Sequence, residues 1–172
     1  MKKLKYIIVL LCFGCSSPKV VYDYDVKTNF SQYRTYHFFD DVGDGVNELD
    51  VKRFVSSIEY QLDSIGLKKS EKPDIYINIM SEKSELSNGN NVGIGIGSGG
   101  RNIGIGISTG ITLEGRKINE RITIDFVDAK DNQLFWQGVL DVKVREKIQP
   151  KERVILVEKV VKKILSKYPP KK

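Results

Sequence analysis

Apolar and polar residues alternate along several segments of the chain, and this period of two predicts β-strands. Two of the segments are rich in aromatic and β-branched residues, and a third follows Pro73 with isoleucine at every second position. Two longer segments come later in the chain and are separated by a polar turn at 128–132. The five predicted strands are 20–25, 33–39, 75–79, 121–127 and 134–144.

Two other segments carry apolar residues at a spacing of three and four, which predicts amphipathic α-helices. The first, 50–65, follows Asn47, a good helix N-cap, and ends at Gly66. The second, 151–167, has lysines opposite its apolar stripe. The stripes are Val51, Phe54, Val55, Ile58, Leu62 and Ile65 in the first helix and Val154, Val157, Val160, Val161, Ile164 and Leu165 in the second. Together these elements indicate an α+β fold, a two-layer sandwich of a mostly antiparallel sheet with both helices on one face.

Trp136 lies near the start of the last predicted strand. Strict alternation places Leu134 and Gly138 on the same face as its indole. We expect this large side chain to be buried in the core.

The N-terminus has the features of a bacterial lipoprotein signal. Three lysines precede an apolar run at 6–13, which at 8 residues is far shorter than a membrane-spanning helix. Gly14 then precedes Cys15, and the segment resembles a lipobox, although Cys12 and Phe13 are unusual in their positions. We expect a signal peptide at 1–14, a lipidated Cys15 and a tether at 15–19; the alternative is a plain signal peptide, cleaved or uncleaved.

Removal of the signal peptide changes the length, the net charge and the cysteine content of the chain. It leaves 158 of the 172 residues, enough for a single domain at 20–168 followed by a tail at 169–172. The cationic side chains fall from 28 to 25 against 22 acidic ones, so the net charge is +3. This balance, together with export, argues against nucleic acid as a partner. With Cys12 removed and Cys15 lipidated, the mature chain has no disulfide and depends on its core.

Three blocks of the sequence resemble a known family. They are YDYDVKTNFSQYRTYHFF at 22–39, GLKKSEKPDIYINI at 66–79 and TIDFVDAKDNQLFWQG at 123–138. They are similar to signature blocks of the domain-of-unknown-function 4136 family of small bacterial envelope lipoproteins. The resemblance covers most of the mature chain and implies an envelope lipoprotein, but it supplies no catalytic residues. The chain departs from the pattern at Gln137, where a basic residue is expected, and in a glycine-rich segment that has the character of an insertion.

That glycine-rich segment, at 89–110, contains the spacing G-x-G-x-x-G of a dinucleotide-binding loop. A dinucleotide site needs a helix directly after the glycines, yet here the period-two alternation continues through Ile107. A β-hairpin that turns at Gly99 and Gly100 fits better. Its register pairs Ile96 with Ile103 and brings the isoleucines to one face and the glycines to the other.

Two roles are open for this hairpin. The isoleucine face could cover the protein's own core, with the glycines there only for the turn and for flexibility. Alternatively, the bare glycine face could admit a second protomer, an envelope protein or a glycan. The candidate partner face consists of Gly93, Gly95, Gly97, Gly104 and Gly106.

Other groups with possible chemistry have simpler explanations. His37, the single histidine, has no adjacent nucleophile and is expected to pack or face solvent. The acidic loop at 40–50 does not match a calcium-binding loop and is interpreted as a solvated loop with a helix cap. Asp125, Asp128 and Asp131 are interpreted as strand and turn residues rather than as a glycosidase-like pair of carboxylates. The lysines at 159–167 are interpreted as a solvated helix face, with contact to an anionic membrane as the alternative.

The sequence therefore predicts a location more clearly than a reaction. We expect no catalytic residue, no cofactor and no metal site. We expect a protein that is lipid-anchored in the bacterial cell envelope, at the outer membrane, and that acts as a non-catalytic interaction or structural module. The alternative is a periplasm-facing lipoprotein that binds a ligand in a pocket between the helices and the sheet.

Overall fold

A computed structural model of the chain describes residues 18–43, 45–85 and 116–171. Three of the sequence-based predictions lie outside these residues: the signal peptide, the lipidation of Cys15, and the glycine-rich hairpin with its proposed partner face.

The described residues form one mixed sheet covered by two helices. The strands are β1 (Val21–Tyr24), β2 (Thr35–Phe38), β3 (Lys68–Lys69), β4 (Ile75–Glu85), β5 (Lys117–Asp128) and β6 (Leu134–Arg145), and the helices are α1 (Glu48–Ser64) and α2 (Pro150–Leu165). A short 3-10 helix, Phe30–Gln32, joins β1 to β2. The strand order is β1-β6-β5-β4-β2-β3. β2 runs parallel to β3 and β4, and the other pairs are antiparallel. The α+β class, the two-layer arrangement and the mostly antiparallel sheet are as predicted.

The central strands are longer than their apolar patterns suggested. β4 continues six residues past the predicted end at Ile79, and β5 begins at Lys117 rather than at Arg121. The two strands pair without interruption from Ile75 opposite Asp128 to Glu85 opposite Ile118. Backbone pairing carries these strands beyond the core into residues whose side chains are largely polar.

The local signals for α1 work as expected, with a shift of two residues at its start. The side chain of Asn47 accepts a hydrogen bond from the backbone nitrogen of Leu49 at 2.9 Å, so the helix begins at Glu48. Beyond the other end, Gly66 has a φ of 91°, a conformation that favours glycine.

The core lies between the sheet and the helices. Its fully buried side chains include Phe54, Ile58 and Leu62 of α1 and Val161 and Ile164 of α2, packed against the isoleucines of β4 and β5. Two predicted members of the helical stripes do not belong to it, because Ile65 is 46% exposed and Val154 is 39% exposed. In α2 the inward position next to Val154 is occupied by Arg153, which is buried.

Trp136 is fully buried, which confirms the prediction for its indole. Its ring packs against Phe126 and Tyr168, with centroid separations of 5.0 and 5.4 Å. The prediction for Leu134 was wrong. Phe126 pairs with Trp136 and Val127 with Leu134, so Phe135 is an extra residue that reverses the alternation, and Leu134 is exposed.

Gly138 does lie on the same face as Trp136, as predicted. A Cβ atom at this position would approach Trp136 Cη2 to 2.6 Å and Ile164 Cγ2 to 2.5 Å. Glycine is therefore required here because the indole and α2 occupy the space of a side chain.

Candidate binding face

On the helix side of the sheet, three buried charged residues join both helices to β5. Arg153 of α2 donates to Asp50 of α1 at 3.1 and 3.0 Å and to Glu120 of β5 at 2.5 and 2.6 Å. Arg53 adds a bond to Asp50 at 2.7 Å, and Ser81 donates to Glu120 at 2.7 Å. We call Asp50, Glu120 and Arg153 the ionic cluster.

The ionic cluster is held in its charged form by its own geometry. Burial alone would raise the pKa of Asp50, but hydrogen bonds from Arg153 and Arg53 outweigh it and lower that pKa. Burial is likewise outweighed at Glu120, where bonds from Arg153 and Ser81 lower the pKa. Arg153 stays protonated, and its two carboxylate partners raise its pKa against the effect of burial. With both carboxylates bound to one guanidinium, the cluster is suited to fixing helix positions rather than to proton transfer.

Sequence reasoning missed this cluster, although a signal was present. Arg153 precedes Val157 by four residues, and Asp50 precedes Phe54 by four, so both belong to the inward stripes of their helices. Glu120 alternates with Ile118 and Ile122 on the helix-facing side of its strand. Charges of opposite sign at inward positions indicate a buried ion pair.

The opposite side of the sheet, which we call the open face, presents a row of polar side chains across four strands. The register pairs Asp23 with Gln137, Gln137 with Asp125, and Asp125 with Asn78. The side-chain amide of Gln137 donates to Asp125 at 2.8 Å. Burial raises the pKa of Asp125, an effect that the bond from Gln137 opposes.

Apolar side chains flank this polar row on both sides. On one side, Val21 pairs with Val139, Val139 with Thr123, and Thr123 with Met80. Val21 is 66% exposed and Met80 is 37% exposed. On the other side Leu134 pairs with Val127 and Val127 with Tyr76. The open face therefore leaves apolar side chains exposed, and an exposed apolar patch of this kind is typical of a surface that contacts a partner.

At the β2 side of the open face, the exposed surface is formed by aromatic side chains. Phe39 stacks on Tyr76 with their centroids 5.0 Å apart. His37 lies beside Tyr76 in the register, and its Nε2 is 3.8 Å from the exposed carboxylate of Glu71. His37 is half-buried, and its Nδ1 is 2.8 Å from the carbonyl oxygen of Phe38.

The acidic residues that the sequence singled out are held by separate local bonds. Asp128 accepts from the hydroxyl of Tyr33 at 2.7 Å, and Asp131 accepts from the backbone of Gln133 at 3.1 Å, whereas Asp125 bonds to Gln137. Across residues 18–43, 45–85 and 116–171, no three His, Cys, Asp or Glu side chains come together as a group that could hold a metal ion.

Fully buried side chains fill the centre of the helix–sheet interface, and among the described residues two grooves lie at its edge and outside it. A groove of about 790 Å³ runs between the outer sides of α1 and α2, where Lys52, Ser56 and Tyr60 face Glu158 and Lys162. A second, smaller groove lies between β6 and α2. Within the described part of the chain, neither helix is long and apolar enough to span a membrane.

The fold recurs in solved structures of low sequence identity. A PDZ domain protein from Parabacteroides distasonis matches 89% of this chain with a TM-score of 0.59 and 16% identity, and the chain spans 36% of that structure. Two structures of the PelC dodecamer from Paraburkholderia phytofirmans, one of them of a point variant, each match 87% of this chain and 96% of their own with a TM-score of 0.51 and 8% identity. At these identities the likeness concerns the fold alone.

The family is defined by sequence. Residues 20–170 match the model of the family described as "Domain of unknown function (DUF4136)", so the chain belongs to that family. A comparison with curated protein sequences found no match.

Proposed function

We propose that this protein is a lipid-anchored component of the bacterial cell envelope, attached through Cys15 to the outer membrane. Its domain acts as a non-catalytic interaction module, and its open face is the docking surface. The basic start, the short apolar run and the Gly14-Cys15 junction support the anchor. Family membership supports a domain that is used as a unit, since the match spans nearly the whole mature chain.

The observation that carries the proposal is the pattern of the open face. Exposed Val21 and Met80 on one side and Leu134 on the other enclose a polar row that includes Asp125 and Gln137. An apolar area that surrounds a few oriented polar groups is suited to binding a partner, because the polar groups fix the partner's position and orientation. On the helix side, in contrast, the charged residues already satisfy one another.

Anchoring is tested by replacement of one residue. Cys15→Ala removes the thiol that would carry the acyl chains, which supply stable membrane attachment. We expect the wild-type protein in the detergent-soluble membrane fraction and the variant mis-processed or released. Wild-type protein recovered entirely in the soluble periplasmic fraction would contradict the anchor.

Docking on the open face is tested with a defined partner. Because the PelC structures are dodecamers, a second copy of this chain is the first partner to test. A photo-reactive amino acid at Val139 should yield a crosslinked species of twice the chain mass in intact cells. The same amino acid at Val26 or Leu49, which are 82% and 58% exposed, should not.

Replacement variants test whether the open face is needed for self-association. Val139→Lys places a charge between the exposed side chains of Val21 and Met80, and it should abolish the crosslink from a probe at Met80. Leu49→Lys adds the same charge on α1 and should leave that crosslink unchanged. If both variants or neither weaken the crosslink, while both remain folded by circular dichroism, the open face is not the site of self-association.

The ligand-binding alternative is a module with a pocket between helices and sheet. Among the described residues, the groove between the outer sides of α1 and α2 is a second place where a small molecule could bind. Its exposed Tyr60 beside Lys52 and Lys162 favours an anionic ligand with an apolar part. A Tyr60→Ser variant that loses such a ligand in a thermal-shift screen would favour this alternative.

A further inference from the structure

The smaller of the two grooves combines cations with an apolar floor, and we call it the basic groove. It has a volume of about 380 Å³ and lies between the C-terminal part of β6 and α2. Its cationic residues are Lys117, Lys143, Arg145 and Lys159. Among the described lining residues Glu152 is the one acid, and it pairs with Arg145 at 2.6 Å, so these residues carry three positive charges in excess.

The floor of the basic groove is apolar. Ile148 and Leu156 are half-buried there, and Ile155 of α2 is 50% exposed. A cationic rim around an exposed aliphatic floor is complementary to the surface of an anionic bilayer, where phosphate groups lie above acyl chains.

The direction of β1 points the first described residues, 18–20, toward the end of the sheet where this groove lies. β1 is antiparallel to β6, with Tyr24 opposite Trp136 and Val21 opposite Val139. Residues 18–20 therefore lead toward the C-terminal part of β6, which lines the groove. The five residues 15–19 can span roughly 17 Å when extended. A lipid on Cys15, as in the proposed function, would hold this end of the domain close to the headgroups.

Acidic side chains near the groove are paired with arginines, Glu85 with Arg116 and Asp141 with Arg121, whereas a further acidic group lies on the other side of the molecule. Asp40, Asp41 and Glu48 border the start of α1, next to β2 rather than β6. The sheet order separates β2 from β6 by two strands. The uneven distribution of charge would orient the domain, with the β6 side toward the membrane and the α1 side away from it.

We propose that the basic groove is a membrane-contact site that binds the phosphate groups of anionic phospholipids, with Lys143 and Lys159 as the charged contacts and Ile155 as the apolar one. This site would set the orientation of the anchored module. Its test does not depend on lipidation, because it uses a chain that begins at Ser16. Such a chain retains the buried core, which the structure describes from Val20 to Tyr168.

The test is flotation with vesicles of phosphatidylcholine alone or mixed with phosphatidylglycerol. We expect binding to the anionic vesicles that weakens as salt is added, and little binding to the neutral ones. Each lysine near an anionic surface contributes about a factor of five to partitioning. The double variant Lys143→Gln/Lys159→Gln should therefore reduce binding about 25-fold.

Matched controls separate the groove from overall charge. Lys27→Gln/Lys130→Gln removes two exposed lysines at the opposite end of the sheet and should leave partitioning within about twofold, since these charges lie more than a Debye length from the surface. Ile155→Ser should weaken binding several-fold, whereas Leu49→Ser on α1 should not.

Three results would overturn the proposal. Equal losses in the two lysine pairs would mean that net charge alone drives binding. Equal binding to neutral vesicles would exclude recognition of the phosphate charge. Competition by soluble polyglutamate at the same charge concentration, with no effect of Ile155→Ser, would mean that the groove serves an acidic polymer rather than a bilayer.

Discussion

The two faces of the sheet are built from the same strands, and they differ in the burial and hydrogen bonding of their polar groups. On the helix side, the carboxylate of Glu120 is fully buried and bonded to Arg153 and Ser81. On the open face, Asp125 has Gln137 as its hydrogen-bond partner and keeps part of its surface in contact with solvent. The comparison indicates that the helix face specifies the fold, while the open face retains polar groups and apolar area that folding does not require.

The largest expected difference between the faces is in the cost of removing a side chain. Trp136→Ala should destabilise the protein by about 3–5 kcal/mol, because it leaves a cavity among Phe126, Tyr168 and Ile164. Val139→Ala on the open face should cost less than about 1 kcal/mol. Urea unfolding of the two variants measures both values. Similar losses would contradict the distinction between the faces.

The ionic cluster should show a comparable cost with a different pH dependence. Arg153→Ala leaves the carboxylates of Asp50 and Glu120 buried without their main partner, and it should cost about 3–5 kcal/mol at neutral pH. Arg121→Ala, which breaks the exposed pair with Asp141 on the open face, should leave the unfolding midpoint close to that of the wild type.

The sign of the pH effect follows from the lowered pKa values of Asp50 and Glu120. In the wild type, the stability that the charged cluster contributes is present above the unfolded-state pKa values near 4, and it is lost as pH falls through the lower folded values. Protonation relieves the unpaired carboxylates of Arg153→Ala, so its deficit relative to wild type should shrink in acid. A deficit that is the same at pH 7 and in acid would contradict this role.

A smaller effect is expected at Gly138, where Ile164 of α2 and the indole of Trp136 leave no space for a side chain. Gly138→Ala forces the added methyl group into Trp136 and Ile164, and it should cost about 1–3 kcal/mol. Thermal unfolding monitored by tryptophan fluorescence would report both the loss and any displacement of the indole. Unchanged stability would mean that α2 can move away from β6 without cost.

The smallest expected effect is on the open face and has the opposite sign. Burial raises the pKa of Asp125. At pH values above that pKa, the ionised carboxylate therefore lowers the stability of the folded protein relative to the unfolded chain. Asp125→Asn should therefore be neutral or stabilising by less than about 1 kcal/mol at pH 7. Any gain should disappear in acid, where the wild-type carboxyl is itself protonated. Chemical unfolding at the two pH values makes the comparison, and a clear loss at pH 7 would mean that the charge supports the fold.

Sequence patterns predicted the helices and most strands because burial follows periodicity. They missed β3, since two lysines carry no apolar signal and the strand exists through its parallel pairing with β2. They also missed the extra residue at Phe135, because a bulge interrupts the period of two that the prediction assumed.

The site was less predictable than the fold. Alternation indicates that Asp125 and Gln137 lie on one side of their strands, but only strand order and register bring them together with Asp23 and Asn78. The ionic cluster depends on three residues from distant parts of the chain. Each lies at an inward position of its own element, but which charges pair with one another is a property of the tertiary structure.

The way β4 and β5 meet has a consequence for how this family can vary. Their ladder is paired up to Glu85 and Ile118, and Arg116 bonds to Glu85 at 2.9 Å, so the chain leaves and re-enters the sheet at neighbouring points. Loop-closure entropy rises only with the logarithm of length, so about thirty connecting residues instead of about five cost about 1.6 kcal/mol. A variant in which a short turn replaces residues 86–115 tests whether chain length alone sets this cost. We expect a gain of about 1.6 kcal/mol in denaturant titration, and a loss would mean that these residues support the fold. By loop entropy alone, this junction is a position that tolerates connections of different length.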